Sequence, residues 1–185
     1  MEKLSYQDVN HHVIERCRQG ENRAQYELYK LYSKAMFNVS MRIVNDYAEA
    51  EDVLQEAFIS AFKNLHTYKG EASFGNWLKR IVVNAAINSI RKKKVELIEI
   101  DERIMEDVAE EVCDNDTEWR VEKVRRAVQM LPDGYRVVLT LYLFEGFDHA
   151  EIGEVLSVSE STSKSQYSRA RKKLLEIMRE PQFVA

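Results

Sequence analysis

The chain has 185 residues, of which 31% are charged and 45% hydrophobic, enough for one or two domains with sizeable cores and ordinary for a soluble protein. Only two prolines and six glycines, with no runs of strand-like alternation, argue for an all-helical chain. No apolar stretch is long enough to span a bilayer and no signal peptide is visible, so a cytoplasmic protein with reduced thiols is expected. Cys17 and Cys113 stand far apart, and His11, His12, His66 and His149 have no metal-ligand spacing; no cofactor or metal site is expected.

The net charge of −4 conceals an asymmetry. Residues 1–94 hold fifteen Lys and Arg against eleven Asp and Glu, residues 95–121 two against eleven, and residues 122–185 ten against nine. A central acidic segment separates two mildly basic flanks.

Residues 5–19 read as a helix capped by Ser5, with Asp8 in a loose capping box and Gly20 closing it. Residues 22–45 follow as a second helix. Tyr26, Tyr29, Leu31, Tyr32, Met36, Phe37, Val39, Met41, Ile43 and Val44 place apolar groups around much of it, which suits burial in a bundle, with the tyrosines as core residues whose hydroxyls stay wet rather than as a ligand box. Residues 46–65, DYAEAEDVLQEAFISAFKNL, are the most sharply patterned stretch. Asp46 is a cap, and Val53, Leu54, Ala57, Phe58, Ala61, Phe62 and Leu65 make one helix face. Asp52, Gln55, Glu56, Ser60 and Lys63 fall on the remaining arc, either as a plain solvated face or as a surface offered to a partner.

A short polar loop, residues 67–73, leads to Ser73, the cap of a helix FGNWLKRIVVNAAINSIRKKK. Phe74, Trp77, Leu78, Ile81, Val82 and Ala85 form its apolar stripe, with Lys79, Arg80, Asn84 and Asn88 off it. Four cations, Arg91 to Lys94, end it, favourable at a helix C-terminus and suited to phosphate. Residues 95–117 are acidic and aperiodic, and read as a linker. A second domain begins at Glu118. One helix ends at Pro132, residues 133–145 form an apolar helix ended by Gly146, and Asp148 caps a short helix HAEIGEVL. After the turn Ser157-Val158-Ser159, Ser159 caps a long basic helix. Lys164, Arg169, Arg171, Lys172 and Lys173 stand there among Ser161, Thr162, Ser163, Ser165 and Gln166. This is the pattern of a helix-turn-helix with a recognition helix, the alternative being a charged surface helix.

In this order the segments DYAEAEDVLQEAFISAFKNL, YKGEASFGNWLKRIVVNAAINSIRK, LPDGYRVVLTLYLFEGFDHAEIGEVL and SVSESTSKSQYSRARKKL resemble the extracytoplasmic-function (ECF) class of sigma-70 family RNA polymerase sigma factors. The resemblance covers about residues 10–94 and 120–178. It implies an all-α protein of two small helical domains: a sigma region 2 domain at 1–94, a flexible acidic linker at 95–117, and a sigma region 4 helix-turn-helix domain at 118–185. Asp52, Gln55 and Glu56 would bind core RNA polymerase. Lys69, Gly70, Ser73, Arg80, Asn84 and Asn88 would engage the melted minus-ten element of promoter DNA, with Arg91 and Lys92 on backbone phosphate. Lys164, Ser165, Ser168 and Arg169 would read the minus-thirty-five element. The linker would thread toward the RNA exit channel, and an anti-sigma factor, membrane-anchored as is common for the class, would be a further partner. Ser157 stands where the family often has Gly, and Ser163, Gln166 and Tyr167 where it often has Val, Arg and Leu, differences that bear on promoter sequence.

No nucleophile–base pair or phosphate loop is visible, so neither enzyme activity nor a small-molecule substrate is expected. Two other classes stay open on the residues alone: a stand-alone helix-turn-helix regulator using residues 120–178, and an adaptor whose two bundles bind only proteins. Trp77 is either a wedge that stacks on an unpaired base or part of its apolar stripe.

Overall fold

The computed structural model describes residues 10–96 and 117–179. Among these all regular structure is helical: α1 (His11–Arg18), α2 (Asn22–Val44), α3 (Tyr47–Lys63), a 3-10 turn (Leu65–Thr67), α4 (Phe74–Glu96), α5 (Thr117–Gln129), α6 (Asp133–Leu143), α7 (His149–Leu156) and α8 (Glu160–Met178). The chain divides into two compact units, Met1–Ile90 and Arg91–Ala185. The expectations for Ser5 and Asp8, and for residues 97–116 of the linker, lie outside the described residues.

In the first unit local chemistry sets the helix ends. Asn45 takes the left-handed conformation (φ 58°) and its N–H bonds Met41 O at 3.0 Å, stopping α2. The next residue starts α3, because the Asp46 carboxylate accepts the Glu49 N–H at 2.9 Å. Ser73 Oγ accepts the Asn76 N–H at 3.2 Å at the head of α4. The core gathers Ile14, Leu28, Ile43, Val53, Phe74, Leu78 and Val82, all essentially inaccessible. Each contributes about 1.5–3 kcal/mol of transfer free energy. Ser40 is buried with them and its hydroxyl binds Ala50 O at 3.1 Å, a polar tie between α2 and α3. Burial pushes the Cys17 thiol up to about 11, which keeps it protonated and unreactive at neutral pH.

Two packing expectations are corrected here. Of the α2 tyrosines, Tyr26 stands outside the core and Tyr29 at its rim, while Tyr32 is half-buried with its ring against Phe74. Tyr26 is 63% exposed and Leu31 52%, and only Leu28, Met36, Val39, Ile43 and Val44 of the large apolar residues turn fully inward. One face suffices to meet α1 and α3, and Tyr side chains tolerate water at their polar ends. On α4 the buried stripe is Phe74, Leu78, Val82, Val83, Ala86, Ile87 and Ile90, while Trp77, Ile81 and Ala85 are half-buried. So many α4 residues are apolar that the pattern fits either side; packing selects the Val83–Ile90 side.

In the second unit α8 packs on α5, α6 and α7. Ala127, Val128, Leu131, Leu139, Ala170, Leu174 and Ile177 form the core. Arg136 is buried within the apolar α6, donating to Leu131 O at 3.0 Å and to Asp133 Oδ1 at 2.5 Å. The apolar run does not stay inside to its end: Tyr142, Leu143 and Phe144 are 39%, 50% and 40% exposed. Asp148 and Glu151 form a reciprocal capping box on α7. The turn to α8 is tight. Ser157 is left-handed (φ 60°), Val158 N–H bonds Gly153 O at 2.9 Å, and Ser159 Oγ accepts the Thr162 N–H at 3.0 Å. A Cβ on Gly153 would lie 2.8 Å from Val158 O, so this turn needs a glycine there.

Candidate nucleic-acid interface

On α3 the apolar pattern directs one side inward and leaves Asp52, Gln55 and Glu56 exposed. Ile59 continues that row one turn on and is 55% exposed. An isoleucine held in water beside three polar groups forms an amphipathic strip suited to another protein's helix. The sequence reading passed over Ile59, although its place three residues after Glu56 puts it on the row.

The loop between the 3-10 turn and α4 is built around Tyr68. Its ring is buried, packed on Phe74 and Trp77 with centroids 5.5 Å away in each case. Its hydroxyl donates to Ala72 O at 2.8 Å, and its own carbonyl accepts from Arg18 Nη2. Lys69 and Glu71 are exposed between these anchors, and Gly70 turns the chain with φ 73°. Ser73 is half-buried and its oxygen already serves the α4 cap. Trp77 is half-buried against Phe74 and Tyr68, a packing residue with one open edge. Arg80, Asn84, Asn88 and Arg91 are all exposed and follow one another at helical steps along α4, with Lys92 exposed beside Arg91.

On α8 the row Ser161, Lys164, Ser165, Ser168 and Arg169 is exposed. Lys164 pairs with Glu160 at 2.7 Å; that carboxylate, by hydrogen bond and charge, raises the ammonium pKa. Ser165 donates to Thr162 O at 2.9 Å. Ser163 faces the other way, correcting its place among the outward polar residues. It is fully buried and its hydroxyl lies 3.0 Å from His149 Nδ1. The His149 ring stacks on Tyr142 at 4.6 Å, and Tyr167 meets both rings. Burial raises the Tyr167 phenol pKa, the nearby Arg171 opposing it. This cluster fixes the start of α8 against α6 and α7. The signal was present: Ser163 extends the Ala170–Ile177 stripe backward by seven residues.

Residues 28–96 match the family described as Sigma-70 region 2, and residues 121–174 that described as Sigma-70, region 4. The RNA polymerase sigma-H factor of Pseudomonas aeruginosa is 30% identical over 177 residues, covering 89% of this chain and 91% of that protein. The ECF RNA polymerase sigma factor SigM of Bacillus subtilis is 30% identical over 149 residues, 80% of this chain and 91% of that one. The chain belongs to the ECF sigma factors of the sigma-70 family. A solved sigma factor of the same fold, RpoE from Bartonella quintana in complex with the anti-sigma factor NepR, is 22% identical with a TM-score of 0.58, covering 84% of this chain and 97% of that one.

As an alternative sigma factor the chain directs promoter-specific initiation, its region 2 serving the minus-ten element and its region 4 the minus-thirty-five element. Sigma factors are initiation factors and not themselves catalysts. Among the described residues no helix is long and apolar enough to cross a membrane.

Proposed function

We propose a division of this work among named side chains. The Asp52, Gln55, Glu56 and Ile59 row of α3 docks on core RNA polymerase. Lys69, Gly70 and Ser73, with Arg80, Asn84 and Asn88, receive the unpaired minus-ten strand, while Arg91 and Lys92 neutralise its phosphates. A base leaving the stack needs hydrogen bonds to its exposed edge, and an Asn amide offers both a donor and acceptors. In region 4, α8 enters the major groove with Lys164, Ser165, Ser168 and Arg169 toward the bases. The domains are 1–94 and 118–185, with 95–117 as the tether. Each surface is modest alone, and polymerase makes them additive by fixing their spacing.

The observation that carries this reading is the exposure of all three polar rows on helices whose opposite faces are packed. The protein acts in the cytoplasm, has no enzyme activity, cofactor or small-molecule substrate, and is held in check by an anti-sigma factor. The complex of the Bartonella relative with NepR favours that last partner. Incubation with bacterial core polymerase, size exclusion and runoff transcription test the whole: co-elution and promoter-dependent transcripts are expected. A dimer that shifts promoter DNA unaided, with no effect of core, would favour a stand-alone regulator. Arg169→Ala should cost about 1–3 kcal/mol and relax base preference at one position if the guanidinium reads a base. Uniform loss with a shallower salt dependence would make it a phosphate contact.

A further inference from the structure

We infer that the Tyr68 hydroxyl is a positioning group that holds the loop 69–72 in its base-receiving shape before promoter DNA arrives. The inference rests on the reading that this loop takes an unpaired base.

The Tyr68 side chain spans its own loop. The backbone leaves through Lys69, reverses at Gly70, and returns to Ala72, whose carbonyl accepts the Tyr68 hydroxyl at 2.8 Å. The start of the loop is fixed as well. Tyr68 N–H bonds Leu65 O at 3.2 Å, and Arg18, with its guanidinium 5.9 Å from the Tyr68 ring centre, donates to Tyr68 O. The ring is 5% exposed and held by Phe74 and Trp77, so the hydroxyl has little freedom to move away. Immediately after Ala72, Ser73 caps α4. The segment Lys69-Gly70-Glu71 therefore lies between two anchors made by one residue, the Tyr68 backbone at its start and the Tyr68 hydroxyl at its end.

This arrangement exceeds what a surface loop needs to connect two helices. A capture loop gains from such fixing, because a group ordered beforehand does not lose entropy when the ligand binds. Differences between bases are also felt only if the loop cannot relax around the wrong one.

Tyr68→Phe tests the inference, since it keeps the ring and removes one hydroxyl. In the full chain, trypsin cleavage after Lys69, mapped by mass spectrometry, should accelerate while cleavage elsewhere is unchanged. In holoenzyme matched for core occupancy, open complexes on duplex promoter should form about three- to tenfold more slowly, the equivalent of one neutral hydrogen bond. Rates across promoters varied at single minus-ten positions should converge, a change that a smaller folded fraction cannot produce. Unchanged cleavage after Lys69 overturns the anchoring. Faster cleavage with unaltered opening and base preference overturns the role in capture. Asn84→Ala, run in parallel, separates the two levels. If Asn84→Ala and Lys69→Ala also open promoters normally, it is the base-receiving reading that fails; if they are slow and Tyr68→Phe is not, the latch alone fails.

Discussion

Ser89 donates its hydroxyl to the Glu49 carboxylate at 2.6 Å, joining the first turn of α3 to the last third of α4. Glu49 is 9% exposed, so the bond operates where water competes poorly. It ties the helix bearing Asp52 and Glu56 to the helix bearing Asn84 and Asn88. Ser89→Ala should destabilise region 2 by about 1–3 kcal/mol, the range for removing one partner of a buried charged group. Chemical denaturation of the full chain in a Trp119→Phe background, where fluorescence reports Trp77 alone, would measure it. A midpoint equal to wild type would mean that the remaining partners of Glu49 carry the interaction.

On the polymerase side, Asp52→Lys with Glu56→Lys should weaken core binding at least tenfold without changing the thermal midpoint, because exposed charges away from networks rarely decide stability. Ile59→Asp should do the same by a different route, removing an apolar contact of roughly 1.5–3 kcal/mol if it is fully covered in the complex. Competition against a reference sigma factor for limiting core reads both. An Ile59→Asp variant that competes like wild type would reduce the docking strip to its polar members.

The turn of the helix-turn-helix offers opposed substitutions. Gly153→Ala drives a methyl toward Val158 O, 2.8 Å from the built Cβ. Backbone must move, and a loss of about 1–3 kcal/mol is expected. Ser157→Gly acts the other way. A serine at φ 60° bears a left-handed penalty of about 1–2 kcal/mol, offset in part by the greater freedom of Gly in the unfolded chain. A net gain of up to about 1 kcal/mol should appear in urea unfolding of region 4. Equal stability of the two variants would contradict the geometry of this turn.

What the sequence disclosed follows from how local each signal is. Asp46, Ser73, Asp148 and Ser159 all cap helices as their spacing implied, because a cap involves only the next three residues. The inward face of α3 and the helix-turn-helix were legible for a similar reason: their periodicity is strong and the intervening turn is short. Glu49 was not, since a polar residue becomes a buried partner only when a distant group such as Ser89 meets it. Arg136 has partners near in sequence, but its burial depends on how α6 packs, and for Ser163 the stripe showed the inward face but not the His149 partner. Tyr26 and Tyr29 misled in the opposite direction, apolar enough to suggest a core yet tolerant of water. In the loop, the exposure of Lys69 and the turn at Gly70 were legible from polarity and turn chemistry, but the bond from Tyr68 to Ala72 depends on a ring rotamer that packing chooses.

The last prediction concerns Glu160, which pairs with Lys164 at 2.7 Å on the exposed row of α8. A lysine engaged by a carboxylate reaches phosphate or a base edge only by leaving or sharing that partner, and if α8 enters the groove the carboxylate meets the same polyanion. Glu160→Gln removes one repulsive charge and releases one ammonium. The variant should therefore hold minus-thirty-five DNA more tightly, with a log–log salt slope steeper by up to about one counterion. The stability effect runs the other way and is small. The lost pair is exposed and contributes little, and the first-turn carboxylate gives up its favourable place at the helix N-terminus. Both are screened at moderate salt, where DNA binding is measured. Holoenzyme assembled with the variant should then show higher promoter affinity at low ionic strength and converge on wild type as salt rises. If Glu160→Gln leaves affinity and salt slope unchanged while Lys164→Ala lowers both, Lys164 reaches DNA without leaving its partner, and the pair is a bridge that shares the ammonium. If neither substitution matters, the DNA-facing part of α8 is confined to Ser165, Ser168 and Arg169.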